Sequence, residues 1–124
     1  MITMRYAGAL ALVFLVLSIR VIQGRTGKGA PSLGDGGNNE MLRRIRGHAN
    51  FAEYVPIILV MMGLLEARGL SAAMLHALGG GLLIARVSHG YTFAFMKDSV
   101  IGRSLGAGLT LLVLGAAGVL CLIK

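Results

Sequence analysis

The sequence has a single cysteine, Cys121, and no tryptophan. One thiol cannot build a disulfide framework, so a small stapled scaffold is excluded. Charge is scarce as well. Only 14% of the 124 residues are Asp, Glu, Lys or Arg, against roughly 25% in a soluble domain. That is too few to cover a globule in water. Acidic residues are scarcest, five against twelve Lys and Arg. Disorder is excluded from the opposite side, because 56% of the chain is hydrophobic and its mean hydropathy is +0.78. What remains is a small polytopic membrane protein, a single domain over residues 1–124 by length.

The net charge of +7 raises the question of nucleic acid. The basic residues sit between long apolar runs, without the basic and aromatic interleaving of single-strand binders, so no nucleic-acid partner is expected. Cations confined to loops follow from membrane topology instead.

A membrane-crossing helix needs about 20 mostly apolar residues. Four stretches qualify: Ile2 to Ile22, about Asn50 to Leu65 behind some polar turns, Gly69 to Ala85, and Ser104 to Ile123. No small-x-small cleavage site follows the first stretch, so it reads as a span and not a leader. Four spans place the first and third loops on one face. That face carries Arg20, Arg25, Lys28, Arg43, Arg44, Arg46, Arg86, Lys97 and Arg103, while the other has only Arg5, Arg68 and Lys124. The imbalance predicts a cytoplasmic (inner) membrane protein with both termini outside and the first and third loops in the cytoplasm. The expected fold is an all-α, integral-membrane four-helix bundle.

The first loop, Gly24 to Asn39, is the one extended linker. Its Gly34-Asp35-Gly36-Gly37-Asn38-Asn39 run reads as a turn, with Asn39 as helix cap and Glu40 at the positive end of the helix dipole. A phosphate-cradling loop would need Gly-Lys-Ser/Thr, which is missing. Gly79, Gly80, Gly81, Gly102, Gly106, Gly108, Gly115 and Gly118 are candidates for close helix contacts.

The chemistry concentrates in Arg43-Arg44-Ile45-Arg46-Gly47-His48-Ala49-Asn50-Phe51-Ala52-Glu53-Tyr54-Val55-Pro56. On a helix, Arg43, Arg46, Asn50, Glu53 and Ile57 share one face, and Ile45, Ala49, Ala52 and Val55 lie opposite. The polar stripe is expected to face inward. A carboxylate at membrane depth is costly, so Glu53 needs a partner. Arg46 lies about 10 Å along the axis, which leaves another helix, a second subunit or a ligand. Pro56 predicts a kink. Arg86, Ser88, His89 and Tyr91 end the third span, and Arg103 opens the fourth at the same depth. Such a cluster suits a zwitterionic or polyanionic small molecule. His48, His76 and His89 lack ligand spacing, so no metal is expected.

The run Arg46-x3-Asn50-x2-Glu53-Tyr54-x-Pro56, with Leu33-Gly34-Asp35-Gly36-Gly37 ahead of it, resembles the second-helix signature of the MAPEG family. These are membrane-associated proteins in eicosanoid and glutathione metabolism, and the match is to their bacterial, microsomal-glutathione-transferase-like branch. The resemblance implies a homotrimer of four-helix bundles with glutathione as co-substrate between subunits. It assigns Arg20, Arg46, His48, Asn50, Glu53, Tyr54 and Tyr91 to glutathione binding. Arg103 would be the catalytic residue that stabilises the thiolate, with Arg86 as the alternative. The implied activity is glutathione transfer to hydrophobic electrophiles, with possible peroxidase activity and a role in detoxification.

Two other readings compete. One is a non-catalytic protein of the same fold that binds glutathione or lipid. The other is a small four-helix drug transporter. Such transporters place their essential carboxylate in the first helix, whereas this chain has it in the second beside arginines that repel cationic drugs. Cys121 reads as an inert apolar filler.

Overall fold

A computed structural model describes residues 1–97 and 99–124; Asp98 lies outside the described residues. The chain is all-helical, with no strand among the described residues. Four helices follow in order: α1 (Ile2–Gly24), α2 (Asn39–Ala67), α3 (Ala72–Phe95) and α4 (Val100–Ile123). At 1.5 Å per residue each reaches at least about 34 Å, enough for a hydrocarbon core of about 30 Å. By length and apolar composition, α1, α2 and α4 can cross a membrane.

The third helix departs most from its expected bounds. It begins at Ala72 and continues ten residues past Ala85, the expected end of the third span. Arg86, His89 and Thr92 are buried within this extension. Packing explains why such a polar helix is tolerated. α3 touches α1, α2 and α4, so Arg86, His89 and Thr92 meet protein and not lipid. α2 likewise touches the other three, whereas α1 and α4 make no mutual contact among the described residues. The bundle therefore has α2 and α3 on its short diagonal and α1 and α4 on its long one.

Leu10 and Leu17 of α1, Val55, Ile58 and Met62 of α2, Leu75, Leu78 and Leu82 of α3, and Val113 and Ala117 of α4 form the core. Apolar burial supplies little drive between helices in lipid, so close contact carries the association. Gly106 shows how close. A Cβ there would lie 2.6 Å from the Cβ of His89 and 2.9 Å from the Ala85 carbonyl oxygen. Gly79 is similarly covered by the Tyr6 ring. By contrast, Gly108, Gly115 and Gly118 have nothing within 4 Å, so the glycine stripe of α4 is a contact surface only in part.

Local chemistry sets the helix ends. Asn38, and not Asn39, caps α2; its side chain accepts from the backbone N–H groups of Glu40 and Met41. Asp35 Oδ1 accepts from Gly37 N at 2.9 Å and fixes the preceding turn. Gly36 and Gly37 have φ of 60° and 74°, a region that only glycine enters freely. Pro56 lies inside α2, which remains helical on both sides of it. At the end of the bundle with the termini, Glu66 accepts from the backbone N–H groups of Ile2 and Thr3. Arg68 donates to the Lys124 carbonyl there at 2.7 Å.

Candidate functional site

The buried face of α2 runs through Gly47, Phe51, Val55 and Ile58. Arg46 and Glu53 are consequently exposed on its outer face. The expected inward stripe is therefore split. Shape decides the orientation, because Gly47 lies against Phe93 of α3 so closely that a Cβ would stand 2.7 Å from the Phe93 Cβ. Asn50, half-buried at the edge of that contact, is the member of the stripe that turns inward. Among the described residues the ion pair formed joins Glu40 to Arg44, so Glu53 has no cationic partner there.

Asn50 meets a group that composition and hydropathy do not reveal. Arg86 is 1% exposed, and its Nη1 donates to Asn50 Oδ1 at 2.9 Å. Its guanidinium carbon stands 5.9 Å from the centre of the Phe51 ring. Its Nε is buried without a hydrogen-bond partner among the described residues. A turn further along, His89 is 4% exposed and stacks on Phe93 with ring centres 4.6 Å apart. His89 Nδ1 is also buried and unpartnered. Arg103 reaches over the other part of this stack, 5.6 Å from the Phe93 ring centre. Arg86, His89, Phe93 and Arg103 thus form a column along the α3–α4 contact, anchored on α2 by Asn50. Tyr54 and Asn50 line a small cavity of about 50 Å³ against Ala107, Thr110 and Leu111 of α4.

The other expected residues lie around this column, not in it. His48 stacks on Phe14 of α1 with ring centres 4.6 Å apart. Arg20 donates through Nε and Nη2 to the Ala94 carbonyl oxygen and through Nη1 to Gln23 Oε1. Its guanidinium sits 4.7 Å from the Phe95 ring centre. Tyr91 is exposed on the outer face of α3 and leans on Phe95. One chain therefore brings together Asn50, Tyr54 and the neighbourhood of Arg103. It leaves Arg46 and Glu53 on the outside of α2 and Tyr91 on the outside of α3. No group of three or more His, Cys, Asp or Glu side chains suits a metal among the described residues.

A family model for the MAPEG family matches residues 3–123, nearly the whole chain. The chain belongs to the MAPEG family. Inner membrane protein YecN, found in two strains of Escherichia coli, is 37% identical over 93 residues. The aligned region covers 75% of this chain and 70% of that protein. No solved structure matches the chain. A MAPEG protein is membrane-embedded, in accord with the three long apolar helices and with a relative named for the inner membrane. Membership of the family lends no support to the drug-transporter alternative. Within this MAPEG chain, Arg86 and His89 belong to the polar cluster read from the sequence, and helical periodicity also marks them as buried. They continue the buried row Leu75, Leu78, Leu82 and Ala85 at helical spacing, so a cation and an imidazole occur where apolar residues were due.

Proposed function

We propose that this protein is a membrane-bound glutathione transferase that assembles as a homotrimer and activates the glutathione thiol for attack on hydrophobic electrophiles. The observation that carries this reading is the split of the Arg46-x3-Asn50-x2-Glu53 stripe. Asn50 is engaged inward by Arg86, while Arg46 and Glu53 point away from the chain that bears them. A carboxylate and a guanidinium at the margin of a membrane helix need a partner from outside. Membership of the MAPEG family supports glutathione in that place, between two copies.

The chemistry is consistent. Glutathione has two carboxylates and one ammonium group. Arg46 and Arg20 suit the carboxylates through charge-assisted pairs, and Glu53 suits the ammonium. His48, Asn50 and Tyr54 offer hydrogen bonds along the same helix, and Tyr91 would come from a neighbouring copy. A free thiol has a pKa near 8.5. Lowering it by about two units takes about 2.7 kcal/mol of preferential stabilisation of the thiolate. One guanidinium in a water-poor site can supply this. Arg103, at the open end of the column, is the assigned donor. The thiol proton leaves to water, the thiolate sulfur forms a bond to the electrophilic carbon, and the leaving group departs with its electron pair. The electrophile would enter from the bilayer between helices.

The test is ultraviolet difference absorbance of the thiolate as glutathione is added to detergent-solubilised protein at neutral pH. A saturable signal is expected, reduced about tenfold or more in Arg103→Ala, equivalent to at least about 1.4 kcal/mol. Loss in Arg86→Ala with retention in Arg103→Ala would move the catalytic role to Arg86. Calorimetric binding without a thiolate signal would make the protein a glutathione-binding member without this catalysis. Absence of both would overturn the proposal.

A further inference from the structure

Two cavities against α3 share one wall. The larger, about 180 Å³, lies between α1 and α3. Val13, Leu17, Val87, Gly90, Tyr91 and Phe95 line it, and its surface is almost wholly apolar. The other, about 100 Å³, sits at the loop end of the bundle and is lined by Arg20, Glu40, Arg43 and Lys97. Phe95 belongs to both.

Depth and charge fit one kind of occupant. From Val87 to Phe95 is about 12 Å of helix, most of one half of a hydrocarbon core about 30 Å thick. An apolar slot about one leaflet deep therefore opens into a cationic recess where headgroups lie. Glu40 is already paired with Arg44. Arg43 and Lys97 have no carboxylate partner among the described residues, and Arg43 Nε is buried without a hydrogen bond. Arg20 is fixed at the junction by the Ala94 carbonyl and the Phe95 ring.

We propose that this composite site binds an anionic phospholipid of the surrounding bilayer. The phosphate lies among Arg43, Lys97 and Arg20, and one acyl chain fills the α1–α3 slot. Basic recesses between membrane helices attract anionic headgroups. A choline headgroup would add a fourth cation to three, which disfavours zwitterionic lipid. A soluble anion would leave the apolar slot without a role. The site shares Arg20 and Tyr91 with the transferase reading, whereas Arg43, Lys97 and Val87 belong to the lipid site alone.

Native mass spectrometry of the detergent-solubilised protein would compare palmitoyl-oleoyl phosphatidylglycerol, phosphatidylcholine with the same chains, and glycerol 3-phosphate. Phosphatidylglycerol should be retained about tenfold better than phosphatidylcholine. The Arg43→Gln/Lys97→Gln double variant should bring the two within about twofold. Val87→Trp, at an exposed position in the slot, should weaken both lipids while circular dichroism stays unchanged. Equal retention of the two lipids by the unaltered protein would overturn the site, as would an unchanged ratio in the double variant. Glycerol 3-phosphate binding as tightly as phosphatidylglycerol would reduce it to an anion site with no chain. Displacement of phosphatidylglycerol by glutathione would give the cationic recess to glutathione and overturn the lipid proposal.

Discussion

Arg86 is the residue under greatest electrostatic tension. It is almost fully buried, donates to one side-chain amide, and faces no carboxylate among the described residues. Removing its partner should be felt at once. Asn50→Ala is expected to cost about 1–3 kcal/mol, the range for leaving a buried donor unsatisfied, read from the thermal unfolding of solubilised protein. Arg86→Met should behave differently, since it removes the buried charge and keeps apolar volume. Its stability should equal or exceed that of the unaltered protein, because apolar replacement of buried charges is often neutral or favourable. A strongly destabilised Arg86→Met would mean that the guanidinium is held by more than Asn50. The sequence disclosed that Arg46, Asn50 and Glu53 share a helix face, because spacing fixes relative angle. It did not disclose which way that face turns. The contacts of Gly47 with Phe93, and the burial of Phe51 and Val55, decide that, and they depend on pieces distant in sequence.

At the scale of elements, apolar runs located all four helices; α1 runs on from the expected Ile22 to Gly24, and α4 begins at Val100, a turn before the expected Ser104. The third was cut short because hydropathy registers Arg86, Ser88 and His89 as an end, whereas neighbouring helices bury Arg86 and His89 and let the helix continue to Phe95. Its extension also leaves a short connection before α4, which places Arg103 in the first turns of that helix. The cap of α2 was misplaced by one residue, since adjacent asparagines offer the same chemistry and only turn geometry selects Asn38. Asn38→Ala should therefore lower stability by about 1 kcal/mol, with Asn39→Ala close to neutral; the reverse order in thermal unfolding would restore Asn39 as the cap. The helix contacts make a sharper contrast. Gly106→Ala should destabilise by about 1–3 kcal/mol through overpacking against His89 and Ala85. Gly115→Ala, with open space around it, should be neutral or slightly favourable through helix propensity.

At the scale of the whole molecule, the proposed site is divided between the outside of α2 and the outside of α3, and one chain cannot close it. Native mass spectrometry in mild detergent should accordingly find three copies together. Exclusively monomeric protein that still gives a saturable thiolate signal would refute the intersubunit site. The cation imbalance between the two ends makes a separate prediction, that reporter enzymes fused at either terminus are active on the outer side of the membrane. Reporters active on the cytoplasmic side would invert the topology.

The ties at the terminal end of the bundle bear on how the molecule moves. Glu66 holds the beginning of α1, and Arg68 holds the last residue of α4, both from the same stretch of chain at the close of α2. No comparable fastening joins α1 to α4 anywhere along their length, since the two helices never touch among the described residues. At the loop end Arg20 ties α1 to the Ala94 carbonyl of α3, and Arg44 of α2 donates to the Arg20 carbonyl. The start of α4 has no such tie to α1 or α2 among the described residues, so amide exchange should be faster around Arg103 than around Glu66. Cutting the terminal fastening with Glu66→Gln should let α1 drift against α2, altering ligand affinity from the far side of the membrane without touching a single binding group.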